Sequence, residues 1–434
     1  MAALKTPRDG TSCGWYNALK PGSHVNTLNG DATSDWVVVG AGVTGLSAAH
    51  RLAEHAPQSS IALLEAGRIG NGTSGRNSGF VMHCNVKVDD GSGAAFQREA
   101  RLNAYGARRL QRLVRSYQIA CDWHDFGMLW AAAGKQGDAA VREKADIFLS
   151  LGQKPIFYDQ TYMKRLTGSD FYTSGVSAPG TALMQPAALC YGLARTLSNN
   201  VQVYEETPVV EIERTSPIRV HSEHGTVTTK GLILCTNTFT PALGFGRNRI
   251  IPGSVFASLT RALCEDELTQ VGVQGPWGIL PSVIDGSTVR RTNANRILMR
   301  NGSGYLPRKW ISEETLKKMQ IEHYASIARR WPELDHIEII DTWGGVCGAI
   351  RNHGQYFGEL APQIWGAFPC NGANVSRGAA TGEALVDFIL GAESPVLADH
   401  LATPKPAWVP PEPLLGLVAY RRWQSIVSRG REER

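Results

Sequence analysis

Apolar residues along the chain follow two periods. Residues 36–39, 61–64 and 231–235 are short runs with little polar interruption, as in strands buried on both faces of a parallel sheet, and 201–204 reads as another strand. Helical spacing places Leu46, Ala49, Leu52 and Ala53 on one face. The same spacing recurs at Leu102, Leu110, Leu113, Val114 and Tyr117 in residues 97–119, and at Leu316, Met319, Tyr324, Ile327 and Trp331 in residues 313–331. Further helices are predicted over 138–151 and 186–196, the second opened by Pro186, whose missing N–H would be unpaired in a first turn anyway. Residues 126–132, 255–263, 278–283, 287–292 and 296–300 read as strands, with turns at Asp285-Gly286 and Asn293–Asn295. Strand, helix and strand at the start followed by a β-rich block after residue 241 predict an α/β fold with a second sheet inserted.

The first strand runs into Gly40, Gly42 and Gly45 at G-x-G-x-x-G spacing, with Val43 and Thr44 opening the helix. Gly40 permits the tight turn, Gly42 leaves room for a pyrophosphate, and Gly45 lets helix and strand approach. The helix N-terminus offers unpaired amides and a favourable dipole to phosphate. Glu65 ends the second strand twenty residues after Gly45, where a ribose hydroxyl needs an acceptor. Next come Ala66 and Arg68, and then a loop rich in small and hydrogen-bonding residues, Gly70-Asn71-Gly72-Thr73-Ser74-Gly75-Arg76-Asn77-Ser78-Gly79-Phe80.

With that loop the chain resembles the FAD-dependent oxidoreductases of the D-amino-acid oxidase superfamily, closest to the amine oxidase branch that includes sarcosine oxidase and gamma-glutamylputrescine oxidase. The resemblance implies a Rossmann-like FAD-binding domain of the glutathione reductase type, interleaved with a mainly antiparallel substrate sheet. It places Ser74, Arg76 and Asn77 beside the pyrophosphate, with Gly75, Ser78 and Gly79 in the same loop, and Val209 against the adenine. Thr236 and Asn237 form a second turn. Gly345 lies on a strand beside the flavin ring, and Gly372, Ala373, Asn374 and Val375 form a closing glycine turn. A helix following that turn would stabilise the negative charge of the reduced ring. The implied cofactor is non-covalent FAD. Cys347 falls near the position where sarcosine oxidases attach flavin, and Asn374 stands where those enzymes have a substrate-binding lysine. The implied reaction is oxidation of a C–N bond in a small amine or amino-acid-like substrate, by hydride transfer to give an imine, with reoxidation by O2. The alternatives are a dehydrogenase passing electrons to a quinone or protein carrier, and a biosynthetic flavoenzyme acting on a larger substrate. Candidates near the ring are His83, Arg351, His353 and Asn374. Arg290 or Arg291 is offered as a cation to assist oxygen.

The expected division is an N-terminal arm (1–34), a discontinuous FAD-binding domain (35–95, 185–240 and 341–400), a capping domain (96–184 and 241–340), and a linker with an amphipathic helix (401–434). That last helix docks on the body, or else meets a membrane surface or a partner. The 434 residues suffice for this division, and the net charge of +5 gives no argument for nucleic-acid binding. Eight scattered cysteines without a C-x-x-C pair suit a reducing compartment, and no metal site is expected. The start of the chain has no apolar h-region, so a cytoplasmic protein is expected. Gly137-Asp138-Ala139-Ala140 matches a motif of flavin hydroxylases, but precedes the second flavin-side strand and opens a charged helix, so it is read as coincidence.

Overall fold

The computed structural model describes residues 13–19, 25–84, 93–372 and 375–434. The first sheet runs, in order, through Val209–Glu213, Ile218–Ser222, Thr226–Leu234, Ala32–Val39, Ile61–Leu64 and Val201–Tyr204. Ala32–Val39 lies parallel to both neighbours, with Val39 opposite Leu234 and Leu64. Strand Ile364–Phe368 adds in parallel beside the end of Thr226–Leu234, and Tyr356–Ala361 folds back along it. Ile61–Leu64 is buried at every residue, as an uninterrupted apolar run requires.

The second sheet orders Ile339–Ala349, Ile251–Thr260, Ile297–Tyr305, Thr288–Arg291, Trp277–Pro281, Met128–Ala132, Ser174–Ala178 and Ile156–Asp159. Its pairings are antiparallel except where Trp277–Pro281 meets Met128–Ala132. A three-stranded sheet, Phe80–Met82, Thr181–Leu183 and His124–Asp125, bridges the two units.

Two segments sit apart from the division by sequence order. Strand Ile339–Ala349 belongs to the second sheet. Helix Gly93–Ser116 packs with Val43–His55 and Val375–Leu390 in the nucleotide unit, adding Ala107, Leu110, Leu113 and Val114 to its core. Gly106 makes this crossing possible, since a Cβ there would lie 1.8 Å from the Ser376 carbonyl oxygen. An apolar stripe shows that a helix packs, not on which sheet. Two stripe positions face outward: Tyr117 is 50% exposed and Tyr324 37%. In helix Glu313–Arg330 the stripe runs instead through buried His323 and Ser326. Within the expected N-terminal arm, Gly14–Leu19 is helical. There Trp15 lies edge-on to Trp343 and donates to the Asn77 carbonyl at 2.9 Å.

Candidate active site

A cavity of about 730 Å³ runs between the two sheets. At one end Glu65 accepts the Ala41 amide at 2.8 Å and the Gly67 amide at 3.1 Å. Thr207 donates its amide to the Glu65 carbonyl, which brings Thr207 to Val210, Val209 included, to the same end. Ala66 and Arg68 also line this end, and Arg68 pairs with Glu205.

The middle is built from Gly40–Thr44 and the loop Gly70–Ser78. Gly40 has φ +98°, and a Cβ on it would lie 2.8 Å from the Cys235 carbonyl oxygen. Gly45 does not line the cavity. It packs so tightly on the Gly40 carbonyl that a Cβ would approach to 1.8 Å. The Val43 amide donates to Ser74 Oγ at 3.0 Å, joining the loop to the helix start. Buried Arg76 is held by the Asn71 carbonyl and side chain and by the Gly344 carbonyl. Asn77 and Ser78 line the cavity, while Gly79 lies behind it, where a Cβ would strike Arg290 and the Met184 carbonyl.

The far end joins both sheets. Thr236 and Asn237 line it, and Asn237 accepts the Cys370 amide through Oδ1, tying the second turn to the closing loop. Gly345, Cys347, Gly372 and Val375 also line it, whereas Ala373 and Asn374 lie outside the described residues. Helix Val375–Leu390 presents its N-terminus here. It packs on Val43–His55 so closely that a Cβ on Gly382 would lie 2.1 Å from the Thr44 carbonyl oxygen.

Beyond this the cavity becomes apolar, lined by Met82, Phe256, Leu280 and Trp310, and it contains Arg300. Strand register aligns Trp343, Ala257, Arg300 and Thr288 in one row across four strands. Burial lowers the Arg300 pKa, and Asp285 only partly opposes this. The Asp285 carboxylate is itself taken by Arg434 and Ser303. Arg300 forms no hydrogen bond or ion pair among the described residues, so its charge faces the cavity uncompensated. No motif or spacing points to it. Residues 297–299 are all buried, so strand alternation did not single out the next side chain.

Five other candidates stand elsewhere. Alternation along Phe80–Met82 turns Phe80 and Met82 to the cavity and Val81 to the core. His83 follows Val81 away, against Gly180, into a separate shallow recess with Gln97, Arg101 and Arg108. Arg351 and His353 are exposed on a turn pinned by Asn371 and do not line the cavity. Arg290 spends its guanidinium on the Ser78, Gly79 and Met184 carbonyls, and Arg291 binds the Val273 carbonyl and Asn295.

The residues fit a dinucleotide with a redox ring. A carboxylate stands at the ribose end, glycine-lined amides and hydroxyls in the middle, and a second helix N-terminus at the ring end. This is the arrangement of a flavin-dependent oxidoreductase. The chain belongs to the FAD dependent oxidoreductase family, whose model matches residues 35–388. FAD is its cofactor.

The chain is 26% identical over 378 residues to the probable oxidoreductase OrdL of Haemophilus influenzae, covering 82% of this chain and 83% of that protein. It is 28% identical over 352 residues to the gamma-glutamylputrescine oxidoreductase of Escherichia coli, covering 78% and 80%. Glycine oxidase from Geobacillus kaustophilus shares the fold with a TM-score of 0.70 at 16% identity, covering 84% of this chain and 96% of that one.

Proposed function

We propose that this enzyme oxidises the C–N bond of a small amine that also carries a carboxylate. The observation that carries this reading is Arg300, a half-buried guanidinium with no hydrogen-bond or ion-pair partner among the described residues, in the apolar end of the cavity. A charge held unpaired against an apolar cavity wall is costly, so a site retains one for a ligand that neutralises it. Arginine meets a carboxylate through two parallel N–H donors, which fixes orientation as well as charge. The relative named for gamma-glutamylputrescine supports an amine substrate. Bound FAD supplies two-electron oxidation of the carbon next to nitrogen.

The chain itself positions and dries the substrate. Met82, Phe256, Leu280 and Trp310 exclude water around the amine, which lowers its pKa and favours the neutral form that can be oxidised. The N-terminus of Val375–Leu390 stabilises negative charge at the ring end. Glu65 and Glu99 are the carboxylates among the described lining residues. The first accepts backbone amides at the ribose end and the second pairs with Arg377, so neither is assigned as a base.

Anaerobic titration with paired amines tests the reading. Amines bearing a carboxylate should bleach the flavin absorbance, and their amides or decarboxylated analogues should bleach it at least tenfold less well. Equal bleaching by both members of each pair would overturn it. Peroxide formed per amine consumed, measured in air, then reports whether oxygen is the acceptor.

A further inference from the structure

We propose that helix Leu414–Arg429 is a docking surface for an anionic lipid bilayer, which it meets in the plane of the interface. One face holds the helix to the second sheet. Leu415 and Ala419 are buried with Val409 beside Ile251 and Tyr305. Trp423 donates to Ser303 Oγ at 2.9 Å, and its ring fills the space over Gly253.

At roughly 100° per residue, the opposite face carries Leu414, Leu417, Val418, Arg421 and Ser425. Leu414 is 58% exposed and Leu417 and Val418 are each 64% exposed, with Tyr420 at 60% alongside and Trp408 at 54% just before the helix. Arg421 and Arg422 are exposed directly after this patch and form no ion pair or hydrogen bond among the described residues. The helix contains no acidic residue.

Large exposed side chains of this kind mark an interaction surface, and their partner must suit both the apolar patch and the uncompensated arginines beside it. An anionic headgroup layer over acyl chains does so: the leucines and valine enter the acyl boundary while the arginines meet phosphates. A second copy of this chain fits less well, since the helix offers no acidic residue to pair with Arg421 and Arg422 across a two-fold contact. None of these side chains lines the cavity, so docking and flavin binding separate cleanly.

Flotation of the FAD-loaded protein with vesicles decides the matter. Vesicles of phosphatidylcholine mixed with phosphatidylglycerol should carry the protein upward in 50 mM salt and release it in 500 mM, while pure phosphatidylcholine should carry little. Each surface arginine adds roughly a fivefold gain in partitioning, so R421Q/R422Q should weaken binding roughly 25-fold. L417S/V418S should weaken it by a comparable amount. Both variants should keep the wild-type flavin content and visible spectrum. Absence of wild-type flotation, or variants that float like the wild type, would overturn the proposal. So would a dimer in sedimentation velocity that L417S/V418S dissolves.

Discussion

At the scale of single residues, Arg300 and Gly40 make separable demands. Arg300→Met should raise KM for a carboxylate-bearing amine by about 100-fold, the loss of a charge-assisted pair worth roughly 3 kcal/mol, with a smaller change in kcat. Flavin content should not change, because the row containing Arg300 belongs to the second sheet. Arg300→Lys should recover only part of the loss, since an ammonium does not reproduce two parallel donors. If KM stays put in both variants, Arg300 does not hold the substrate. Gly40→Ala acts at the other end. It forces a side chain into φ +98° and against the Cys235 carbonyl, so the purified protein should show a lower ratio of visible to ultraviolet absorbance. Full flavin loading of that variant would sink this account of the turn. The contrast marks what a sequence reveals at this scale. Gly40 and Glu65 announce themselves by spacing, because a phosphate turn imposes it. Arg300 is placed by a sheet buried on both faces, which leaves no periodic trace. His83 sits one position out of phase with the cavity side of its strand.

At the scale of elements, three helices of the nucleotide unit are joined by charge. Arg109 on Gly93–Ser116 binds Glu383 on Val375–Leu390 and Glu54 on Val43–His55, Tyr105 donates to Glu383 at 3.0 Å, and Arg51 pairs with Asp387 at 2.7 Å. Burial raises the Glu383 pKa, and Arg109 works against that rise. Arg109→Met would leave the Glu383 carboxylate buried and unpaired, at a cost of about 3 kcal/mol in urea unfolding at pH 7. Without the arginine the folded-state pKa of Glu383 climbs further above its unfolded value. The folded variant then takes up the proton more readily, so its deficit should shrink as pH falls through that pKa. The double variant R109M/E383L should recover most of the loss. A deficit that is independent of pH would show that lost packing, not unpaired charge, is responsible. The arginines of this helix look like a solvated face in the sequence, and Arg108, Arg112 and Arg115 are exposed. Arg109 departs from that face because Glu383 comes from a helix some 270 residues away, a pairing that no local pattern encodes.

At the scale of the whole molecule, a polar layer buried between helix Glu313–Arg330 and the second sheet makes acid stability a test of the fold. His323 is fully buried on helix Glu313–Arg330, with Nδ1 against Ser258 Oγ at 2.7 Å and Nε2 by the Asn301 backbone. Burial lowers its pKa to about 4, with Arg300 and Arg434 adding to the effect. Between the unfolded value near 6.5 and about 4, the unfolded chain therefore binds one more proton than the folded one. Stability attributable to this residue is complete above pH 6.5 and falls as pH drops toward 4, by about 3 kcal/mol in all. His400, also buried with its pKa held well below 6.5, adds loss of the same sign. The carboxylates of Asp35 and Glu267, lowered to about 2, lose their contribution only at more acid pH, so the windows separate. Urea unfolding at pH 6.5 and pH 5.0 should show a wild-type loss of at least about 2 kcal/mol. In His323→Gln the baseline stability will be lower because the buried hydrogen bonds change, but the slope between the two pH values should flatten by about 1 kcal/mol per unit. The slope is the diagnostic, since a packing defect shifts both measurements equally while a missing titration removes the difference between them. An unchanged slope would mean that His323 gains solvent access before the molecule unfolds, and hence that the sheet carrying Arg300 opens locally while the nucleotide unit stays folded.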